Sequence, residues 1–352
     1  MNQPQPQRAL RSLLRFFTDI HEGEETSALL LLLNVFLILC AYYLIKPLRE
    51  GWISVSDIEG LSKVEVKAYS AFAQSLILIP IVSAYGSFSS RWKRSELITR
   101  ATLFCMSNMV IFWALQPNFF FEELPVTGIV FYIWVGMFGV FVVAQFWAFA
   151  ADVYTNESGR RILPLIAIGA TAGAAFGSKL TAWLIEAGIV STEWLLIVAL
   201  IPLTISIFIT RIVDRREEVA QKGEEQGEEQ GEEQGEKSQS DSPVVSSDPP
   251  GKSGVSALRV VFSSRFLIAV AGITLLLNWV NTNGENLLFW VVQDVLLEDA
   301  LALGITEGEE LIRFTKEGTT VFYANFFSLV NWVALILQAF VASRLLKYGG
   351  FG

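Results

Sequence analysis

The sequence has little charge, little cysteine and almost no histidine. Charged residues fill 17% of its 352 positions, where a soluble domain carries about 25%. The single histidine, His21, stands in a polar N-terminal stretch with no second histidine or cysteine near it, so no metal-ligand spacing exists. The two cysteines, Cys40 and Cys105, both fall inside apolar runs and imply no disulfide framework. No Ser/His/Asp set or Cys/His pair is present, which leaves hydrolytic chemistry little to work with. The chain is therefore expected not to be an enzyme and to need no cofactor. A cleaved leader is not expected either: the first apolar run ends in "YYLIKPLRE", without a small-residue cleavage site.

What the sequence does have is hydrophobicity, at 52% of residues and a mean hydropathy of +0.46. The apolar runs are long and lack the ten-residue alternation of barrel strands, so they predict membrane-spanning helices. Eight spans are expected, near 27–46, 68–88, 100–120, 126–151, 162–186, 194–213, 266–290 and 320–343. The fold class is an all-α polytopic membrane protein. Residues 1–26 read as a tail, 27–213 as a six-helix bundle, 214–256 as a linker and 257–352 as the first two spans of a second bundle. The linker repeats GEEQ three times from Gly223 and is low in apolar residues, so it is expected to be disordered. Residues 214–252 hold twelve acidic and five basic residues, which accounts for −7 of the formal charge of −9. The acidic balance thus describes the linker and gives no reason to expect a nucleic-acid partner.

Lys and Arg give an orientation. Arg8, Arg11 and Arg15 lie in the tail, and Arg91, Lys93, Arg94 and Arg100 in the second connection. Arg160 and Arg161 lie in the fourth, Arg211, Arg215 and Arg216 where the linker opens, and Arg344 and Lys347 at the end. By the positive-inside rule all of these are cytoplasmic. Lys63 and Lys67, in the first outer connection, read as solvated and paired with Asp57, Glu59 and Glu65.

Six spans, a long cytoplasmic linker and further spans make the plan of the major facilitator architecture, which puts its substrate site between two six-helix bundles. The second bundle is only begun. The chain is therefore expected to be a truncated form that does not transport alone.

"YYLIKPLREGW" at 42–52, "FWAFAADVYTNESGRRILPLIAIGATAGAAFGSKL" at 146–180 and "NTNGENLL" at 281–288 resemble the ATP/ADP carrier (nucleotide transporter) family of plastids and obligate intracellular bacteria. They are more similar to that family's uncharacterised relatives in free-living bacteria. The resemblance covers the chain except for tail and linker. It implies a major-facilitator-type transporter in the bacterial cytoplasmic membrane, exchanging nucleotides or organic anions. Lys46 matches the family's basic residue near the end of the first span, and Glu285 its seventh-span glutamate. The family's acid in the fourth span has no counterpart: "FYIWVGMFGVFVVAQFW" offers only Gln145. That departure counts against ATP/ADP exchange and leaves transport standing.

The candidate site residues for binding or gating are Lys46, Arg49, Lys179, Asn281, Asn283 and Glu285. Lys46 lies nineteen residues after Ser27, and Glu285 nineteen after Phe266. At about 1.5 Å per residue, both stand roughly 28 Å up their spans. The runs look interrupted there, by Lys46-Pro47 and by Asn283-Gly284. Paired interruptions of this kind point to a transporter's site or gate. Lys46 and Arg49 would hold an anionic solute, with Glu285 pairing with them in the empty site or carrying a proton. The alternative is that all three charges reach the outer headgroups. Lys179 either snorkels or lines the cavity. Asp152 with Arg160 or Arg161 is a candidate cytoplasmic gate, or else a positive-inside anchor.

Gly169, Gly173 and Gly177 recur every four residues on one face of the fifth span, a packing stripe and not a phosphate loop. Tryptophans 52, 113, 183, 194, 290 and 332 suit an aromatic belt, while Trp134 and Trp147 lie deeper. The function expected is secondary transport of a small anionic solute, with a proton or a counter-substrate coupled. A transport-inactive membrane sensor or assembly partner is the alternative.

Overall fold

The first apolar run forms α1, Glu24–Ser54, and passes Pro47 without a break. Proline has no N–H to offer the carbonyl four residues back, which is that of Tyr43. The Thr181 hydroxyl, on another helix, lies 3.4 Å from this oxygen and from that of Leu44, and 3.0 Å from its own Gly177 carbonyl. A neighbour's hydroxyl re-satisfying a freed carbonyl is how membrane helices tolerate proline. The interruption expected at Lys46-Pro47 is therefore not a break, and α1 carries its charged end eight residues further, to Ser54.

The computed structural model describes residues 24–89, 94–116, 126–154, 156–232 and 262–342. After α1 come α2 (Lys63–Ser89), α3 (Arg94–Ala114), α4 (Thr127–Val153) and α5 (Asn156–Glu186). A 3-10 turn, Thr192–Trp194, leads into α6 (Leu195–Glu232). Then follow α7 (Arg265–Ala302) and α8 (Gly308–Ile336), which runs on as a π-helical turn, Leu337–Ala342. There is no strand among the described residues, and eight helices are long and apolar enough to cross a membrane. This fits the multi-pass, all-α protein expected. His21, the tail arginines, Arg91, Lys93, the linker beyond Glu232, Arg344 and Lys347 lie outside the described residues.

Local chemistry sets the boundaries. Ser62 and Glu65 form a capping box: Glu65 Oε2 accepts from the Ser62 N–H at 2.8 Å, and the Ser62 hydroxyl faces the Glu65 N–H at 3.3 Å. α2 therefore starts at Lys63, several residues before the span expected from 68. α5 and α7 each end in a glycine with positive φ, Gly188 at 66° and Gly304 at 75°. Only glycine takes this backbone without strain. α6 continues as far as Glu232, so the segment expected to be disordered is helical through two of its GEEQ repeats. Glu and Gln are good helix formers, and they outweigh one glycine in four. α7 also runs unbroken through Asn283-Gly284.

The described residues fall into two compact units, one comprising those up to Glu218 with those from Val292, the other Val219–Val291. The first unit is built around α1, which packs on α5, α8, α4 and α2. The closest of these contacts is with α5. A Cβ at Gly169 would meet the Leu32 carbonyl oxygen at 2.7 Å, one at Gly177 the Cys40 carbonyl oxygen at 2.5 Å, and one at Gly173 the Phe36 carbonyl oxygen, closest of the three. The expected packing stripe is thus a backbone-to-backbone contact. Toward the Glu24 end, α1 is pinned to α6: Asn34 Nδ2 donates to Thr210 Oγ1 at 2.8 Å, and the Ser206 hydroxyl donates to Asn34 Oδ1 at 2.5 Å. α7 is one continuous helix, and its portion within the second unit has Leu276, Trp279 and Val280 exposed.

Candidate functional site

The last turns of α1 bring Lys46, Arg49 and Glu50 to the Ser54 end of the first unit. Neighbours on a helix do not ordinarily face each other, yet Arg49 Nη2 lies 2.5 Å and its Nε 3.0 Å from Glu50 Oε1. The guanidinium is held over the ring of Tyr132 on α4, 4.4 Å from its centroid. The other carboxylate oxygen, Oε2, is 2.9 Å from Lys67 Nζ on α2. Glu50 and Lys67 are each 1% exposed and Arg49 7%. Two cations thus share one carboxylate, away from water and among spanning helices. Burying such ions costs several kcal/mol each, offset only by close pairing.

This corrects the reading of Lys67 as a solvated residue. The capping box at Ser62 places Lys67 in the second turn of α2, where it turns into the helix bundle. Lys63 does pair with Asp57, as expected.

Aromatic rings of α8 extend the cluster. Lys67 Nζ stands 5.3 Å from the Tyr323 centroid, and Lys46 Nζ 4.1 Å from that of Phe327 and 5.1 Å from that of Tyr43. The Tyr323 and Phe327 rings are themselves 5.6 Å apart, so the two ammonium groups meet neighbouring rings of one aromatic cluster. Attraction to a ring face stabilises a desolvated cation by about 2 kcal/mol. One turn or more along α8, Lys316 Nζ lies 3.4 Å from Glu193 Oε1 and 5.8 Å from the Trp52 ring. Trp52 is 1% exposed and packs on Phe131 at 4.2 Å, so it belongs to the core and not to an aromatic belt. Trp134 is likewise a core residue, stacked on Phe138 at 5.5 Å.

α5 and α8 meet along a row of polar links. Thr171 donates to Gln338 Oε1 at 2.6 Å, Lys179 to Asn325 Oδ1 at 3.3 Å, and Asn325 Nδ2 to Glu186 at 2.8 Å. Lys179 is thus turned toward α8 and bonded there, although its side chain is exposed. Toward the other end, Arg161 is half-buried and bonds Glu24 at 3.3 Å, which ties α5 to the start of α1. Asp152 and Arg160 are exposed.

Asn281, Asn283 and Glu285 belong to the second unit. There Asn281 Nδ2 donates to Glu285 Oε1 at 3.2 Å, and Asn283 Nδ2 donates to the Trp279 carbonyl at 2.8 Å. Asn283, read with Gly284 as a helix interruption, thus bonds within its own helix, as does Asn281. The carboxylate that Arg49 meets is Glu50, its own neighbour.

Among the described residues no group of three or more metal-ligating side chains stands together. Compared with protein-family models, curated proteins and solved structures, the chain matches none.

Proposed function

We propose that the protein moves a small anionic solute across a membrane by alternating access, as a secondary transporter of the major facilitator type. The observation that carries this reading is the Arg49–Glu50–Lys67 triad, ionisable and buried among helices long and apolar enough to span. Ionisable groups in such positions are costly and mark a solute or ion path. Within the triad cations outnumber carboxylates two to one, which suits an anion. A guanidinium can grip a carboxylate or phosphate bidentately, while an ammonium adds a point charge. The likeness of the Lys46 and Glu285 motifs to nucleotide carriers supports the same solute class. In the orientation that Lys and Arg suggest, the triad lies toward the outer side.

Uptake into proteoliposomes by the full-length gene product tests this, with labelled ATP, phosphate and a dicarboxylate as solutes. We expect saturable uptake of at least one, reduced tenfold or more by Arg49→Ala. Folded protein that takes up none of the three would favour a transport-inactive sensor or assembly partner.

A further inference from the structure

Lys179 and Glu186 stand on the outward face of α5. Beyond the first turns of that helix the exposed residues are Pro164, Phe176, Lys179, Trp183 and Glu186. From Phe176 on they are three or four apart and share one face. Beside them α8 turns Phe322, Leu329 and Trp332 outward at the same spacing, with the half-buried Asn325 among them. Two apolar stripes thus lie side by side, interrupted by one lysine, one glutamate and one amide. Their apolar remainder suits acyl chains and not an aqueous path.

The two charges use little of their bonding capacity. Among the described residues the Lys179 ammonium, with three donors, makes one bond, to Asn325 Oδ1 at 3.3 Å. The Glu186 carboxylate accepts one, from Asn325 Nδ2 at 2.8 Å. Exposed charges at the edge of the hydrocarbon call for partners there. The two groups reach opposite ends of one amide, so their separation is that amide plus two hydrogen bonds.

Depth orders them. The span Glu157–Glu186 has 30 residues. At about 1.5 Å each it crosses the whole bilayer with its headgroups, about 40–45 Å. Glu186 ends the helix and so stands in the headgroup layer, and Lys179 lies roughly 10 Å deeper. Trp183, between them, sits where interfacial tryptophans sit. The cation is thus nearer the acyl chains and the carboxylate nearer the water. A phospholipid with an amine headgroup has the complementary order, phosphate deeper and ammonium further out.

We propose that Lys179, Asn325 and Glu186 form a binding site for a zwitterionic phospholipid with a primary ammonium, phosphatidylethanolamine. Lys179 holds its phosphate, Glu186 accepts from its ammonium, and Phe176 and Trp183 flank its acyl chains. The two-carbon link between phosphate and nitrogen spans the gap that Asn325 bridges. A choline headgroup has no N–H for Glu186. A glycerol headgroup brings a net negative charge to a site whose own charges cancel. The site needs only that α5 and α8 span a membrane, so it stands whether or not the triad binds a solute.

The test uses delipidated full-chain protein in detergent, with phosphatidylethanolamine, phosphatidylcholine or phosphatidylglycerol of identical acyl chains added. Bound lipid is counted by native mass spectrometry. We expect the ethanolamine lipid to bind about tenfold tighter than the other two, as one charge-assisted hydrogen bond allows. Mono- and dimethylation of its nitrogen should weaken binding stepwise. Glu186→Gln should erase the preference over choline, and Lys179→Gln should weaken the ethanolamine and choline lipids alike. Ethanolamine lipid with brominated chains should quench the wild type more than Trp183→Phe, which places the lipid without altering its polar contacts. Equal binding of ethanolamine and choline lipids by the wild type overturns the proposal even where no polar variant folds. So does tightest binding of the glycerol lipid, a preference that survives Glu186→Gln, or equal quenching of wild type and Trp183→Phe. A lipid-free dimer that Glu186→Gln abolishes assigns the two charges to a second copy and also overturns it.

Discussion

Replacing Gly173 with alanine puts a methyl group where the structure has none to spare. The new Cβ would press first on the Phe36 carbonyl oxygen and stand 2.8 Å from both Cα and C of the same residue, and ordinary contact begins near 3.4 Å. These are backbone atoms that no rotamer change can move, so α1 and α5 must part by more than the 0.6 Å that the Cα and C contacts alone require. A gap of about 0.5–1 Å forfeits a quarter to a half of each dispersion contact along the seam. Overpacking of this kind costs about 1–3 kcal/mol. Alanine recovers up to about 1 kcal/mol over glycine in a helix, so Gly173→Ala should destabilise the protein by about 1–2 kcal/mol. The protein supplies its own probe, because Cys40 and Cys105 are both buried and become reactive to a thiol-sensitive dye on unfolding. Gly159→Ala is the control in the same helix, where the new atom meets only side-chain carbons at 3.7 Å. We expect the melting temperature in detergent to fall for Gly173→Ala and to hold or rise for Gly159→Ala. Equal shifts for the two variants would refute the close-contact argument.

In the triad, Glu50→Ala leaves two buried cations without their carboxylate, whereas Lys67→Ala still leaves an Arg49–Glu50 pair. Breaking a buried pair costs about 3–5 kcal/mol, so both variants should melt lower, and Glu50→Ala lower than Lys67→Ala; the reverse order would contradict the pairing. Thr181→Val removes the hydroxyl beside the Tyr43 carbonyl that Pro47 leaves open, at a cost of about 1 kcal/mol. Part of that loss should vanish in a Pro47→Ala background, where the carbonyl regains its own N–H, and a double-mutant cycle without coupling would argue against this role.

The eight spans were legible because an apolar run of twenty residues has few alternatives to a spanning helix. The glycine stripe was legible for a similar reason, since period four fixes a helix face. The triad was not. Glu50 follows Arg49 directly, and adjacent positions on a helix give no ground for pairing them. Lys67 stood among Asp57, Glu59 and Glu65, which offered it partners close in sequence, while the carboxylate it meets lies on the preceding helix. The available signal was the "SKVE" capping box at 62–65, which starts α2 early enough to carry Lys67 inside it. Pro47 and Asn283-Gly284 were read as interruptions because both loosen a helix in isolation. A neighbour's hydroxyl and the helix's own asparagines make up for them, and only the first of these depends on tertiary structure.

The glycine seam also divides the protein by how freely it can vary. Along Gly169, Gly173 and Gly177 any side chain would press on the α1 backbone, so that face of α5 is closed to mutational exploration. On α4 Gly128 also faces the α1 backbone, at the Trp52 carbonyl, but Gly136 and Gly139 are less constrained, since they meet the ends of Gln74 and Tyr42, which can swing aside. Lys67 on α2 belongs to the triad, and Tyr132 on α4 and Tyr323 on α8 border it. A change of solute in the course of evolution would therefore be written on α2, α4 and α8, against an α1–α5 pair that stays fixed.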